Sequence, residues 1–224
     1  MSSYLKRYAA PRSWTLLRKE TKYVMKSSPG AHAMEHSMPI GMLLKSLGHA
    51  STTKEAGLIM RNSNVLIDGR RIKDHKFALG LMDTVTLKES GEHYRVVIDD
   101  KARIMLAKIS GKDAASKACR VLGKTVIKGG KLQLNLSGGR CVITDKKDLS
   151  VGDTVMLSLP DQKITSTLKL EKDATILLTA GRHAGTIGTV EDITEERIRY
   201  ATKDGSEQTL TDYAFVIPEG MITQ

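Results

Sequence analysis

The chain has 224 residues, 35 lysines and arginines against 25 acids, and a formal net charge of +10. At 40% hydrophobic content it can bury packed cores, which excludes wholesale disorder, and its length allows one large domain or several small ones. No run approaches the ~18 apolar residues of a membrane span; residues 1–7 lack the apolar stretch of a secretory signal; and Cys119 and Cys141, its two cysteines, exclude a disulfide framework or a four-thiolate zinc site and suit a reducing, cytoplasmic setting.

Residues 1–38 carry Lys6, Arg7, Arg12, Arg18, Lys19, Lys22 and Lys26 among small residues and almost no acids. Pro11, Pro29 and Pro39 break any long helix. A segment this basic is expected to bury no core of its own and to order on a partner. For Trp14, the single tryptophan, packing on a neighbouring module is favoured over stacking on a base or ribose.

Residues 39–90 read as a compact α+β module. Ile40, Leu43, Leu44 and Leu47 recur at helical spacing, predicting a helix from Pro39 to about Ala50. Thr52 and Glu55 have the spacing of a capping box before a second helix, with Ala56, Ile59 and Met60 inward and Arg61 at its end. Asp68-Gly69 between apolar runs predicts a hairpin, because such turns need positive φ. Residues 80–87 supply a further strand. Arg61, Arg70, Arg71, Lys73 and Lys76 fall at helix and hairpin edges, either a solvated face or a rim that grips a nucleic-acid backbone.

Residues 91–170 look mainly β, with strands near 94–98, 103–109, 131–136, 140–144, 154–159 and 163–170 and a short helix over 113–119, a pattern that suggests a small barrel or sandwich. Residues 171–224 predict strands at 175–179, within 181–190, at 197–202 and at 213–217, with a second hairpin turn at Asp204-Gly205. Five strands in so short a segment fit a small curled barrel, which leans on its neighbours because a domain of ~60 residues buries only about 60% of its unfolded surface. This last segment is net acidic, whereas everything before it is net basic. The basic body points to a polyanionic partner held by phosphate neutralisation.

Three motifs suggest other chemistry. His32-Ala33-Met34-Glu35-His36 spells a zinc-peptidase pattern, but the flanking prolines leave barely two turns for it. Gly123-Lys124-Thr125 resembles the end of a phosphate-binding loop, yet the required earlier glycine is Ala118. In Gly181 to Val190 the glycines either allow tight turns or bring backbone amides near a phosphate, with Arg182 and His183 beside them. No pair of acids stands out for acid–base work. Nine aromatic residues are too few for single-strand stacking platforms, so folded RNA or a duplex backbone fits better.

Leu5-Lys6-Arg7-Tyr8-Ala9-Ala10-Pro11-Arg12-Ser13-Trp14, His32 with Glu35-His36 and Met38-Pro39-Ile40, and Ile67-Asp68-Gly69 with Leu81-Met82-Asp83 come in that order. Val151-Gly152-Asp153-Thr154, Lys163-Ile164-Thr165 and Phe215-Val216-Ile217 follow. The series resembles small-subunit ribosomal protein four of the archaeal and eukaryotic "e" type, and its archaeal members in particular. The resemblance implies an α+β, multi-module chain. Its parts would be a basic extension (1–38), an alpha-L type RNA-binding α/β module (39–90), a central family-specific β domain (91–170) and a C-terminal SH3-like KOW β-barrel (171–224). It implies a non-enzymatic constituent of the cytoplasmic small subunit. The expected partners are small-subunit ribosomal RNA and neighbouring ribosomal proteins, with no cofactor, no membrane and no self-association. The fourteen cations named above, from Lys6 to Arg182 and His183, would carry the RNA contacts. The alternatives are an RNA-modifying or processing enzyme carrying an alpha-L module and a transcription-associated KOW factor.

Overall fold

The computed structural model describes residues 5–62, 65–145, 148–194, 196–202, 205–218 and 220–221. The chain divides into two units, one of Met1–Val97 with Arg103–Ala115, the other of Ile98–Ala102 with Ser116–Gln224.

In the first unit, β1 (Leu5–Lys6) pairs antiparallel with β2 (Tyr23–Val24), so the basic segment folds back on itself. β3 (Ser37–Pro39) leads into α1 (Ile40–Ser46). The helix stops four residues short of the predicted Ala50, because Gly48 takes a left-handed φ of 80° that ends it. α2 (Thr53–Asn62) begins with the predicted capping box: the Glu55 amide donates to Thr52 Oγ1 at 3.2 Å, and Glu55 Oε2 accepts from the Ser51 and Thr52 amides at 2.7 and 3.2 Å. β4 (Val65–Ile67) and β5 (Arg70–Arg71) form the expected hairpin, with Asp68 and Gly69 at φ 49° and 76°. The single strand expected over 80–87 is two. β6 (Ala78–Gly80) pairs with β3, then the chain turns at Met82 (φ 66°), where Asp83 Oδ2 accepts from the Gly80 amide at 2.9 Å, before β7 (Thr84–Leu87).

β8 (Glu92–Ile98) pairs with β7, and β9 (Ile104–Ile109) follows, giving a sheet of order β5-β4-β7-β8-β9. That sheet runs straight across residue 90, where composition suggested a boundary. Its core joins Leu43, Leu44, Met60, Val65, Val85 and Val96 to Ala10 and Trp14. The N-terminal segment therefore has no core of its own but lends Ala10 and Trp14 to the core of this unit. Trp14, 3% exposed, packs as favoured, and its indole Nε1 donates to the Ser37 carbonyl at 2.6 Å.

α3 (Gly111–Ala114) is a single turn capped by Ser110, whose Oγ accepts from the Asp113 amide at 3.3 Å. In the second unit, the helix expected over 113–119 gives way to β10 (Ser116–Val126). Alanine-rich local propensity is overridden by pairing with a distant strand: Ser116–Arg120 pair with β13, and the continuation, Val121–Val126, pairs with β11. β11 (Leu132–Leu136), β12 (Arg140–Thr144), β13 (Thr154–Ser158) and β14 (Ile164–Leu168) complete a sheet of order β12-β11-β10-β13-β14 over Cys119, Val121, Leu134, Val155 and Leu157.

A second five-stranded sheet of order β18-β17-β16-β15-β19 is built from β15 (Thr175–Leu178), β16 (Ile187–Ile193), β17 (Arg197–Thr202), β18 (Gly205–Leu210) and β19 (Ala214–Val216). A one-turn 3-10 helix, Thr211–Tyr213, separates β18 from β19. Among the described residues no ladder joins β18 to β19, so the sheet is open where a closed barrel was expected; three-residue β19 is taken up wholly by β15. Of the predicted Asp204-Gly205 turn, Asp204 lies outside the described residues. The whole is mostly β with few helices, an α+β fold, and no described helix is long and apolar enough to cross a membrane.

Candidate nucleic-acid interface

The first unit collects the basic segment and the helix–hairpin cations. Lys6, Arg12, Lys19 and Lys22 are exposed. Lys6 lies 5.7 Å above the Tyr8 ring and Lys22 lies 5.5 Å above the Tyr23 ring, so these two tyrosines orient cations. Two arginines bind their own chain. Arg7 donates through Nε to the Leu17 carbonyl, through Nη1 to Thr21 Oγ1 at 2.7 Å and through Nη2 to Glu20 Oε2 at 2.5 Å; its side chain is 14% exposed. Arg18 donates to the carbonyls of Tyr8 and Pro11 at 2.9 and 3.2 Å. These bonds satisfy carbonyls of a segment with little regular structure.

The next cations adjoin this segment. The Ser28 amide donates to the Lys76 carbonyl at 2.9 Å and Ser28 Oγ donates to Asp74 Oδ2 at 3.0 Å, which holds the chain two residues after half-buried Lys26 against the Lys73–Lys76 loop. Arg71 Nη2 donates to the Arg61 carbonyl at 3.1 Å, tying the hairpin to the last turn of α2. Arg61, Arg70, Arg71 and Lys73 are exposed and Lys76 is half-buried. Arg61 also lines a shallow groove with Thr53, Lys54, Gly57, Leu58 and His75. Lys54, Leu58 and His75 were missed from sequence. Leu58, 54% exposed, reads there as an ordinary helical residue, and only the approach of His75, in the loop after β5, makes α2's outer side one wall of a groove.

In the second unit, Arg182 is exposed in the turn before Gly185, while His183 Nε2 lies 3.1 Å from Glu207 Oε2. The same oxygen accepts from the Tyr200 hydroxyl at 2.8 Å. Burial, then this hydrogen bond, pushes the Tyr200 phenol up to about 12. The glycines here serve packing: a Cβ at Gly185 would meet the Asp99 carbonyl oxygen at 1.9 Å, and one at Gly188 would meet that of Ala201 at 2.7 Å. His32 and His36 share no helical face. Met34–His36 is one 3-10 turn, and His32 Nε2 lies 3.0 Å from Asp83 Oδ2 with its ring over Gly80. Lys124, of the loop-like Gly123-Lys124-Thr125, sits in strand β10 and donates to the Leu149 carbonyl at 3.1 Å.

Two family models match: ribosomal family S4e over residues 90–164 and the RS4NT (NUC023) domain over residues 1–35. The small ribosomal subunit protein eS4 of Methanosphaera stadtmanae is 40% identical over 221 residues, covering 96% of this chain and 91% of its own length. The chain belongs to ribosomal family S4e. The eS4 protein of Methanothermobacter thermautotrophicus is also 40% identical, over 222 residues, again with 96% and 91% coverage. The crystal structure of ribosomal protein S4e from Thermoplasma acidophilum superposes with a TM-score of 0.69 at 32% identity, covering 83% of this chain and 95% of that one. In this S4e chain the N-terminal match takes in every cation from Lys6 to Lys26, and the longer match runs from the turn between β7 and β8 to the start of β14.

Proposed function

We propose that this protein is a structural, non-catalytic constituent of the small ribosomal subunit in the cytoplasm, held there by ribosomal RNA and neighbouring subunit proteins. The observation that carries this is 40% identity across 96% of the chain to proteins named for that subunit. The basic first unit supplies the physical means, since each neutralised phosphate releases counterions.

Residues 1–38 act as a basic extension. Residues 39–90 act as an alpha-L type module, supported by the capped helix, the Asp68-Gly69 hairpin and the cations that flank them. Residues 91–170 form the central family-specific domain, whose first two strands, β8 and β9, complete the sheet of the preceding module. Residues 171–224 form an SH3-like KOW module, supported by the strand order and the 3-10 turn before the last strand. Lys6, Arg12, Lys19, Lys22, Arg61, Arg70, Arg71, Lys73 and Lys76 meet phosphates. Arginine does so bidentately and lysine as a point charge. Arg7, Arg18 and Lys26 position the segment that presents them, and Arg182 and His183 touch RNA or a protein at the edge of the acidic module.

The test is sedimentation of the tagged full chain. It travels with small subunits through a high-salt wash; appearance with RNA polymerase instead, or turnover of free RNA, overturns the reading.

A further inference from the structure

None of the sequence-predicted contacts lies in the central sheet, yet that sheet holds the longest acid-free basic stretch of the chain. Between Asp113 and Asp145 there is no acidic residue, while Lys117, Arg120, Lys124, Lys128, Lys131 and Arg140 occur. Strand β10 divides these cations by depth. In its first half, flanked by β13, Lys117 is buried and Arg120 donates to the carbonyls of Asp212 and Thr211 at 2.5 and 3.1 Å. Its second half pairs only with β11 and runs outward. Burial falls along it from Val121 to Val126, which is 70% exposed. Lys124 braces this arm through its bond to the Leu149 carbonyl.

The arm ends in a defined turn. The Ile127 amide donates to the Lys131 carbonyl at 3.0 Å and the Gly130 amide donates to the Ile127 carbonyl at 3.2 Å. Gly129 and Gly130 occupy the left-handed region at φ 89° and 74°. Nothing lies within 4 Å of where a Cβ would stand on either glycine. The main chain at the tip is therefore bare and open to solvent. Lys128 and Lys131 flank it, both exposed and both without a partner among the described residues. A turn that is clamped at its base, stripped of side chains at its apex and bracketed by two uncommitted ammonium groups suits an oxyanion of a nucleic-acid backbone. The glycines let the phosphate approach the backbone and the lysines neutralise it.

We propose that the β10–β11 hairpin tip, Lys128-Gly129-Gly130-Lys131, is a further phosphate-binding element that contacts the RNA backbone separately from the first unit. This rests on the RNA-bound reading above.

The test uses the full chain and small-subunit ribosomal RNA, with binding followed against salt. The double variant K128Q/K131Q should keep its thermal midpoint, since both side chains are exposed and unpaired. Its log–log salt slope should fall by about 1.4–1.8 and its affinity at 0.1 M salt by at least about tenfold, as expected for two lost phosphate contacts. K128R/K131R should restore both. In assembled particles, Lys128 and Lys131 of the unaltered chain should resist acylation until ribonuclease is added. A slope and affinity equal to those of the unaltered chain, or acylation indifferent to ribonuclease, would overturn the proposal. So would unchanged RNA affinity with loss of the variant from washed particles, which would make the tip a protein contact. A flat titration of the unaltered chain would instead remove the RNA reading itself.

Discussion

Arg7 and Lys19 lie in the same basic segment and have opposite roles. Arg7 spends its guanidinium on Leu17, Glu20 and Thr21, whereas Lys19 is exposed without a partner among the described residues. Arg7→Gln is expected to lower stability by about 1.5–3 kcal/mol, the worth of charge-assisted hydrogen bonds, while leaving the salt slope of RNA binding unchanged. Lys19→Gln should do the reverse, reducing the slope by about 0.7–0.9 with stability within about 0.5 kcal/mol. Urea unfolding and salt titration of the two variants separate these roles. Trp14 anchors the same segment, and Trp14→Ala should cost about 3–5 kcal/mol of stability in urea, because it empties a core site and strands the Ser37 carbonyl. Tyr200 gives a pH signature. Its phenol keeps its proton up to about 12 when folded but loses it near the ordinary value of 10 when unfolded. Its contribution is thus complete below about pH 10 and is lost as pH rises through about 12. Tyr200→Phe should flatten that alkaline loss in unfolding measured across the window.

At the scale of elements, local chemistry was legible where a turn or cap is encoded within a few residues. Thr52 and Glu55 cap α2, and Asp68-Gly69 turns β4 into β5, because both devices are complete in four residues or fewer. Glu55→Ala removes acceptors for two amides and should cost about 1 kcal/mol, read as lower helicity at α2 and a lower unfolding midpoint. Elements whose state depends on distant partners were misread. Residues 116–119 resemble a helix locally and become a strand because β13, about forty positions away, pairs with them. One local turn also escaped: residues 80–87 look continuous and break at Met82, which takes φ 66° without being a usual turn residue, while the Asp83 carboxylate closes the turn onto the Gly80 amide. The glycines from 181 to 188 kept two meanings in sequence, and the structure settles two of them. Gly185 faces the Asp99 backbone and Gly188 the Ala201 carbonyl, so a methyl at either would collide with main chain.

Across the whole molecule, charge and cores are arranged in two units. If about six phosphates are neutralised, affinity for small-subunit RNA should fall with a log–log salt slope of roughly −4 to −5. Deleting the residues before Lys26 cannot test the basic segment cleanly, because Ala10 and Trp14 belong to the core of the first unit. The combined variant K6Q/R12Q/K19Q/K22Q keeps that core and should flatten the slope by about 3–4.

Composition and motif order alone established a basic chain with an acidic C-terminal segment and the ordered series shared with its family, because charge and short motifs are written in adjacent residues. They also marked the cations of the first 76 residues as candidates. Which of those cations are free and which are bound to their own chain was decided only in three dimensions. Arg7, Arg18 and Arg71 each donate to a carbonyl seven to ten positions away, and Arg7 also to Glu20 and Thr21, all brought close by backbone turns that no composition records. The sheet that crosses residue 90 and the bare tip of the β10–β11 hairpin came from which strands pair, and the burial of the N-terminal segment from packing against residues far along the chain; hydrophobic pattern along one strand does not name the strand beside it.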